Sequence, residues 1–285
     1  SSAASDVYKR QAANKGRITK GAAYALKSRA MLYAKRWQDA YDAANNVIAL
    51  KLYGLTDKYE DAWKGNNKEA ILEFDYDAAN GPNHLFDRYY VPQCDGYDNG
   101  STGTPTQEMV ECYESKNGEK IDRSNSSQLA KGALPLKYGM DPDMKDGQSG
   151  IDVVIYRYAD VLLTLAECIN RNEGSPTTEA IGLVNRVRKR AGLSELDDAQ
   201  TASGEAFNEA ILLERGHEFY LEGLRRQDLI RFGKYVEYAN NRIDAINKSE
   251  GRGYFNVHEG HNRFWIPQSF IDESKGAIKQ NNYDR

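Results

Sequence analysis

The stretch RITKGAAYALKSRAMLYAKRWQDAYDAANNVIAL, residues 17–50, decides the fold of this chain. It spaces small and apolar residues three and four apart, which is the period of an α-helix. Thr19 is a suitable N-cap, and after Arg36 and Trp37 the pattern restarts as a second helix. The first helix is predicted to bury Ala22, Ala23, Leu26, Ala30 and Tyr33, and the second Ala40, Ala43, Ala44, Val47 and Ile48. Because these side chains are small, the stretch predicts two closely packed antiparallel helices.

A second stretch with the same spacing covers residues 151–192. Its apolar stripe includes Leu162 and Ala166, Thr177 or Thr178 begins the next helix, and Gly192 ends it. When Ala30 is aligned with Ala166, the two helix pairs read as copies of one unit, close in size to a tetratricopeptide repeat. Both alanines are therefore predicted to be buried at a close helix crossing.

The residues between the two pairs, 51–150, have a different character. They begin with a strand-like run, Ala70–Tyr76, and continue with many Gly, Pro, Asn and Asp residues, which favour irregular backbone. A long irregular insert in an otherwise regular protein is usually functional. Residues 204–285 are predicted to form C-terminal helices, 204–216 and 217–233 among them, and an extended tail. The sequence thus predicts a mainly all-α fold of tetratricopeptide-like helix pairs with a long irregular insert, residues 51–150, that carries the function.

Composition excludes several classes of protein. With 285 residues and 40% hydrophobic content the chain can bury a core, and its net charge of −4 does not suit a nucleic-acid partner. No stretch approaches 18 uninterrupted apolar residues, so no membrane-spanning segment is predicted. The three cysteines lack metal-ligand spacing. Cys168 is predicted to be a core residue, whereas Cys94 and Cys112 could pair if the protein is exported.

The sequence contains no phosphate-binding loop and no nucleophile elbow. His258 and His261 are three residues apart in a Gly-rich stretch, which favours structural roles over zinc binding. Glu214, Glu218 and Glu222 stand four apart, and paired carboxylates can hydrolyse a glycosidic bond. Because arginines alternate with them, mutual ion pairing is the simpler interpretation.

An acidic turn is the weak metal candidate of the chain. Asp141, Asp143 and Asp146 offer the oxygen ligands that Ca²⁺ prefers. The spacing of an EF-hand is broken and its distal Glu is missing, so a solvated turn is the favoured interpretation. The sequence therefore predicts no metal and no other cofactor, with Ca²⁺ as the alternative.

Tyrosine is the unusual component of the aromatic set, with 19 Tyr against 8 Phe and 3 Trp. A sugar ring presents a face of C–H groups, which an aromatic ring covers, and a rim of hydroxyls, which Asp and Asn side chains bind. The insert offers both kinds of residue close together. The predicted ligand-binding residues are Tyr89, Tyr90, Tyr97, Asp98, Asn99 and Tyr138.

Several stretches in order along the chain resemble the SusD/RagB family. They include Pro105–Val110 followed by Asn117-Gly118 and Ile121-Asp122, then Tyr156–Leu163, then Glu214–Phe219 with Glu222–Arg225 and Asp228–Gly233, and finally Ile266-Pro267 with Gln280-Asn281. The resemblance covers nearly the whole chain and matches the C-terminal portion of such proteins.

The resemblance implies a lipid-anchored protein on the outer face of the outer membrane of Bacteroidota. Members of the SusD/RagB family bind glycans, or in some cases peptides, and pass them to a partner SusC-like TonB-dependent barrel. They are not enzymes. In proteins of this family the lipid anchor belongs to the N-terminal half. By the resemblance, that half is not expected within this sequence. The resemblance also implies a packing role for Trp63 and structural roles for Glu214, Arg215, Glu222, Arg225 and Asp228.

Four functions therefore remain open on the sequence. Glycan capture for an uptake system is the leading expectation and peptide capture by the same kind of protein is the second. A glycoside hydrolase that uses the glutamates, and a scaffold whose helix pairs bind protein partners, are the other two.

Overall fold

The first helix begins where the sequence predicts it. In a computed structural model, which describes residues 18–64, 67–86, 105–113, 137–138, 143 and 148–281, the Thr19 hydroxyl accepts a hydrogen bond from the backbone N–H of Ala22 at 3.1 Å. Thr177 and Ser203 cap two later helices in the same way. The described helices are α1 (Lys20–Tyr33), α2 (Trp37–Ala49), α3 (Gln107–Cys112), α4 (Tyr158–Glu173), α5 (Thr178–Arg190), α6 (Gly204–Glu218), α7 (Arg225–Arg231), α8 (Tyr235–Glu250) and α9 (Gln268–Glu273). The described strands are β1 (Ala70–Phe74) and β2 (Val153–Arg157), and 3-10 helices cover Tyr59–Trp63 and Glu259–Asn262.

Helix α4 lies at the centre of the helix pairs. Every residue from Tyr158 to Asn170 is buried, and both Ala166 and Cys168 are fully inaccessible. Helix α4 contacts α2, α5 and α6, and α2 in turn packs along α1. The predicted burial of Ala166 and the core position of Cys168 are confirmed, and the mainly helical fold is as the sequence predicts.

Of the residues predicted to form the inner face of α1, only Ala22 is buried, and the rest of that prediction is wrong. Ala23 and Ala30 are exposed, as are Leu26, at 56%, and Tyr33. The buried residues of α1 are instead Gly21, Ala22, Ala25, Ser28 and Leu32. Alanines occur on both the buried and the exposed side of this helix, so their spacing did not identify the buried face. Ser28 marks the face of α1 that packs on α2, because its hydroxyl donates to the carbonyl of Ala40 in α2 at 3.1 Å.

The second stretch contains a strand as well as two helices. Val153–Arg157 was predicted to lie within a helix pair, but it pairs antiparallel with β1, which confirms the predicted strand at Ala70. β-branched residues dominate this run, and they favour a strand over a helix. The pairing places Arg157 opposite Ala70, beside Glu69. It thereby brings distant charged residues to the N-terminus of α4.

The predicted helix over 217–233 is interrupted. Helix α6 ends at Glu218 and α7 begins only at Arg225. Leu221 and Gly223 both adopt positive φ, +63° and +76°, which a helix does not allow. Glu222 therefore lies in a turn and not on a helix face with Glu214 and Glu218.

The chain divides into two compact units, Ser1–Gly223 and Leu224–Arg285. In the second unit, side-chain amides fix the backbone between α8 and the tail. Asn240 donates to and accepts from the backbone of Val257, at 3.0 and 2.7 Å. Gln280 makes the same paired contact with Ile266, at 2.9 Å in each direction. These pairs hold an irregular segment in one conformation, and the predicted extended segment around Ile266 lies within it.

His258 and His261 have structural roles, as predicted. The His258 side chain accepts from the backbone of Gly260, and the His261 side chain accepts from the backbone of His258. Together they cap the 3-10 helix Glu259–Asn262.

Among the described helices, none combines the length and the apolar character that crossing a bilayer requires.

Candidate functional site

Six rings form a continuous row at the base of the insert. In order they are Tyr76, His84, Phe86, Tyr138, Trp63 and Tyr59. Neighbouring ring centroids are 4.6 to 6.1 Å apart, and each contact is edge to face, the geometry that aromatic pairs prefer. Trp63 is 5% exposed, whereas the other five rings are half-buried. The row therefore has a buried anchor and accessible members.

The start of the insert fixes one end of this aromatic row. The backbone N–H of Tyr76 donates to Asp152 at 2.8 Å, and His84 forms an isolated β-bridge with Ser149. The His84 ring also bonds the carbonyl of Ile151 through Nε2 at 2.8 Å and accepts the N–H of Phe86 at its Nδ1. Phe86 and His84 are thus held by the backbone that leads into β2.

Gly150 makes this arrangement possible. A Cβ at this position would lie 2.6 Å from the backbone nitrogen of Ala78, a distance that real Cβ atoms do not adopt. The opposing turn is closed by Asp77, whose carboxylate accepts the N–H groups of Ala79 and Asn80. Those backbone hydrogen bonds lower the pKa of Asp77. The two segments therefore approach closely behind Tyr76.

A buried ion cluster lies at the other end of the row. It consists of Glu69, Lys137, Arg157, Arg190, Glu218 and Glu222, so the formal charges cancel. Arg157 contacts Glu69 at 2.9 Å and Glu222 at 2.7 Å, and it also pairs with Glu218. Arg190 bridges Glu69 and Glu218. Since every side chain of the cluster is at most 8% exposed, these pairs are strong only because the set is complete.

The pKa shifts in the cluster follow from burial and from these partners. Burial alone would lower the pKa of Arg157, but Glu222 and Glu218 reverse the effect and leave it well above its ordinary value. Burial alone would raise the pKa of Glu218, but Arg157 and Arg190 lower it. Burial raises the pKa of Tyr59 well above its ordinary value, and Glu218 adds to the effect. The cluster thus favours charged arginines and carboxylates beside a neutral tyrosine.

Lys137 connects the insert to the scaffold. Its Nζ donates to the carbonyls of Glu218 and Tyr220, at 3.0 and 2.7 Å, and to Glu222. The same ammonium group lies 4.6 Å from the ring centroid of Trp63 and 5.9 Å from that of Tyr138. Burial lowers the pKa of Lys137 to about 8, against the opposing effect of Glu222. Lys137 therefore fixes the neighbouring Tyr138 within the aromatic row.

A separate buried carboxylate joins α1 to the core. Asp160 accepts from Arg29 at 2.8 Å and from Arg215 at 2.9 Å, and Arg29 also lies 4.1 Å from the ring centroid of Tyr156. Burial alone would raise the pKa of Asp160, but the two guanidinium groups hold it far below 3.8. This contact fixes the orientation of α1 against α4.

Most of the predicted ligand-binding residues lie outside the described residues. These are Tyr89, Tyr90, Tyr97, Asp98 and Asn99. Tyr138 is described, and it is half-buried in the aromatic row, with its hydroxyl 3.4 Å from the carbonyl of Leu221. Its contact with a ligand stays a prediction. Trp63 is buried, in agreement with the packing role expected for it.

Four rings of the aromatic row were not predicted from the sequence: Tyr59, Tyr76, His84 and Phe86. The available signal was Tyr76-x₇-His84-x-Phe86, three rings at the exit of a predicted strand. These three side chains lie within an eleven-residue span of the predicted functional insert, so the spacing marks them as candidates; it does not indicate their contacts with one another and does not include Tyr59.

The metal and disulfide predictions are not addressed by the described residues. Asp143 is exposed, while Asp141 and Asp146 lie outside the described part, as does Cys94. Within the described part, no group of three or more His, Cys, Asp or Glu side chains is placed to hold a metal ion.

The three glutamates that are candidates for glycoside hydrolysis all have cationic partners. Glu214 pairs with Arg188 at 3.1 Å, and Glu218 and Glu222 belong to the ion cluster. Ion pairing was predicted, and the glutamates have cationic partners that come from β2, α5 and the insert. The residue predicted to be structural in α7, Asp228, pairs with Arg231 at 2.8 Å.

The fold defines a class, a tetratricopeptide-like helix-pair scaffold that carries an aromatic-rich insert. Surface glycan-binding protein A of Bacteroides thetaiotaomicron has this fold, with a TM-score of 0.74 and 25% identity over 96% of this chain and 66% of that one. A second structure of the same protein, in complex with laminarihexaose, matches with a TM-score of 0.73 and 25% identity, over the same shares of the two chains.

The sequence model of the SusD family matches residues 138–283, about half of the chain, and the chain belongs to this family. The starch-binding protein SusD of Bacteroides thetaiotaomicron is 32% identical over 52% of this chain and 23% of its own length. A SusD-like protein of Bacteroides ovatus is 25% identical over 86% of this chain and 54% of its own length. The chain thus spans roughly a quarter to a half of these two curated relatives.

Proposed function

We propose that this protein captures oligosaccharides or polysaccharides at the outer surface of the cell, as the glycan-binding component of an outer-membrane uptake system. It is not an enzyme in this proposal, and it needs no cofactor. The aromatic row is the observation that carries the proposal. The laminarihexaose complex of a protein with the same fold supports it, and so does the starch-binding relative.

The accessible rings of the row are suited to the C–H face of a sugar. Tyr76, Phe86 and Tyr138 are half-buried, so each is held by the protein yet keeps part of its ring surface accessible. An aromatic contact of this kind contributes about 1 kcal/mol. The hydroxyl rim of the sugar would be bound by polar side chains of the insert, for which Asp98 and Asn99 are the proposed residues.

The ion cluster serves this site by holding it still. Lys137 and Arg157 join the insert and β2 to the turn after α6, so the rings are in place before a ligand arrives. Preorganised contacts lose less entropy on binding. The charges of the cluster are satisfied by one another, which supports a binding role for the site.

Delivery to a transporter is the second part of the proposal. The captured glycan would pass to a SusC-like TonB-dependent barrel, with this protein attached to the outer membrane by a lipid on its N-terminal part. Co-purification of the full-length protein with its barrel from outer-membrane extracts tests this part separately from glycan binding.

The binding proposal is tested by calorimetry with a glycan identified on an array. The double variant Tyr76→Ala/Phe86→Ala removes two rings, and each loss of about 1 kcal/mol corresponds to several-fold weaker binding. The matched control is Tyr254→Ala/Phe270→Ala, which removes a Tyr and a Phe that are 53% and 58% exposed outside the row.

Affinity should fall on the order of tenfold or more in the row variant and stay unchanged in the control. Equal affinity in the two double variants, with intact circular dichroism, would contradict the site. Binding of a peptide library and of no glycan would favour the peptide-binding alternative.

A further inference from the structure

A cleft of about 490 Å³ lies at the far end of the helix pairs. Helices α2, α4 and α5 meet there, and the cleft is lined by Gln38, Tyr41, Ile169, Asn172, Glu173, Thr177, Thr178 and Glu179. Its volume is within the range of small-molecule sites. Helix α4 rises about 1.5 Å per residue, so its 16 residues separate this cleft from the ion cluster by about 20 Å. The cleft is therefore distinct from the aromatic row.

Some polar groups of the cleft are already used by the protein. Asn172 donates to the Gln38 side chain at 3.2 Å, and Gln38 donates in turn to Asp42. The Thr177 hydroxyl caps α5 by accepting from Ala180. The Asn172–Gln38 hydrogen bond thus links α4 to α2 at the exposed rim of the cleft.

Other polar groups of the cleft have no partner among the described residues. The hydroxyls of Tyr41 and Thr178 make no hydrogen bond to them, and the carboxylates of Glu173 and Glu179 pair with none of their cations. Tyr41 is half-buried and packs against both hydrophobic clusters of the core, so its ring is fixed. The Tyr41 ring, the hydroxyls of Tyr41 and Thr178, and the carboxylates of Glu173 and Glu179 all line this one cleft.

We infer that this cleft binds a neutral oligosaccharide. The Tyr41 ring and Ile169 supply apolar surface, and the hydroxyls, amides and carboxylates supply partners for a sugar's hydroxyl rim. No lysine or arginine lines the cleft, and two carboxylates do. An anionic sugar would therefore meet repulsion, which selects against uronic and sulfated residues. The inference rests on the proposed glycan capture and adds a second site with a stated substrate class.

Two sites on one chain would increase the affinity for long glycans over short ones. A polysaccharide that reaches both the cleft and the aromatic row would bind more tightly than a short oligosaccharide, because its second contact is intramolecular. A cleft near the scaffold's far end would thus help retain a polymer.

The test uses backbone amide NMR shifts during titration with laminarihexaose and, separately, with an oligogalacturonide of equal length. Laminarihexaose should shift the amides of Gly174, Thr178 and Glu179, and the oligogalacturonide should not. Tyr41→Phe and Asn172→Ala should weaken these shifts several-fold. Asn46→Ala is the matched control, because Asn46 is exposed and bonds only a carbonyl of its own helix.

The row variant Tyr76→Ala/Phe86→Ala separates the inference from the proposed function. Shifts in the cleft should persist in that variant. If the wild type binds glycan without any shifts in the cleft, and the row variant loses that binding, the cleft site is overturned and the row site stands. Cleft shifts produced by Ca²⁺ alone, or equally by the oligogalacturonide, would also overturn it, whereas no binding of any neutral glycan would end the proposed function itself.

Discussion

At the scale of single residues, Lys137 shows how one buried charge fixes an irregular segment. Its ammonium group donates to two backbone carbonyls of the turn after α6 and to Glu222, with the Trp63 ring above it. These acceptors favour the charged form, but burial opposes it more strongly, so the folded protein releases this proton more readily than the unfolded chain does. The attachment of the insert is therefore linked to the protonation of one side chain.

The pKa of Lys137 gives this link a measurable sign. Burial lowers it from 10.5 to about 8, so between about pH 8 and pH 10 the unfolded chain binds more protons than the folded chain. The free energy of unfolding contributed by this group therefore rises with pH in that window. Tyr59 acts in the opposite direction near pH 10, because burial raises its pKa well above the ordinary value of 10 and only the unfolded chain loses that proton there. This contribution is common to the wild type and a Lys137 variant, so it cancels in the difference between them.

Urea denaturation of the wild type and of Lys137→Met should reveal this contribution. The difference between their free energies of unfolding is expected to change in favour of the wild type by on the order of 2 kcal/mol from about pH 7.5 to pH 10. Lys275→Met, at an exposed position, is the control and should show no such trend. A difference that stays constant with pH would contradict the buried, partly desolvated ammonium group.

At the scale of elements, α1 and α4 respond differently to the same sequence pattern. Ala166 in α4 is fully buried between neighbouring helices, whereas Ala30 in α1 is exposed. The two positions align in sequence, yet only one is at a helix crossing. Alanine itself gives no information on this point, because it is compatible with both environments.

Leucine substitutions distinguish the two positions. Ala166→Leu adds three carbons to a packed interior and is expected to lower the free energy of unfolding by about 1–3 kcal/mol. Ala30→Leu should change it by no more than about 0.5 kcal/mol, since surface changes are usually that small. Thermal and urea unfolding of both variants, measured side by side, is the check. An equal loss of stability in the two would restore the original alignment of the helix faces.

At the scale of the whole molecule, the sequence predicted regular elements better than their partners. The caps at Thr19 and Thr177 and the strand at Ala70 depend on local residues, and they were found. The ion cluster depends on contacts such as Arg157 with Glu69 and Glu218, which are separated by 88 and 61 residues. Spacing along one helix could suggest that the glutamates are paired but could not say with what.

The candidate site shows the same limit. The tyrosines of the insert were named from composition, and of these only Tyr138 belongs to the described row. Tyr76, His84 and Phe86 come together because Gly150 allows two segments to approach and Ser149 pairs with His84. These are contacts between residues more than sixty positions apart, and no local pattern encodes them.

Acid sensitivity is a property of the whole molecule that follows from its buried carboxylates. Burial alone would raise the pKa of Asp160, but Arg29 and Arg215 hold it below 3.8, and Arg157 and Arg190 likewise hold that of Glu218 below 4.5. The stabilisation from both groups is present above those ordinary values and is lost as the pH falls toward the folded-state values. The free energy of unfolding should therefore decrease steeply below about pH 4.

Asp160→Asn isolates one part of this effect. At neutral pH it leaves the buried guanidinium group of Arg215 and the half-buried one of Arg29 without their shared carboxylate, so a loss of about 3–5 kcal/mol is expected. As the pH falls from about 6 to 3, the wild type should lose stability faster than the variant, and the gap between their urea midpoints should narrow. Asp198→Asn, at an exposed position, should follow the wild type throughout. A gap that does not change with pH would mean that Asp160 keeps the same proton affinity in the folded and unfolded chains, which contradicts its position between Arg29 and Arg215.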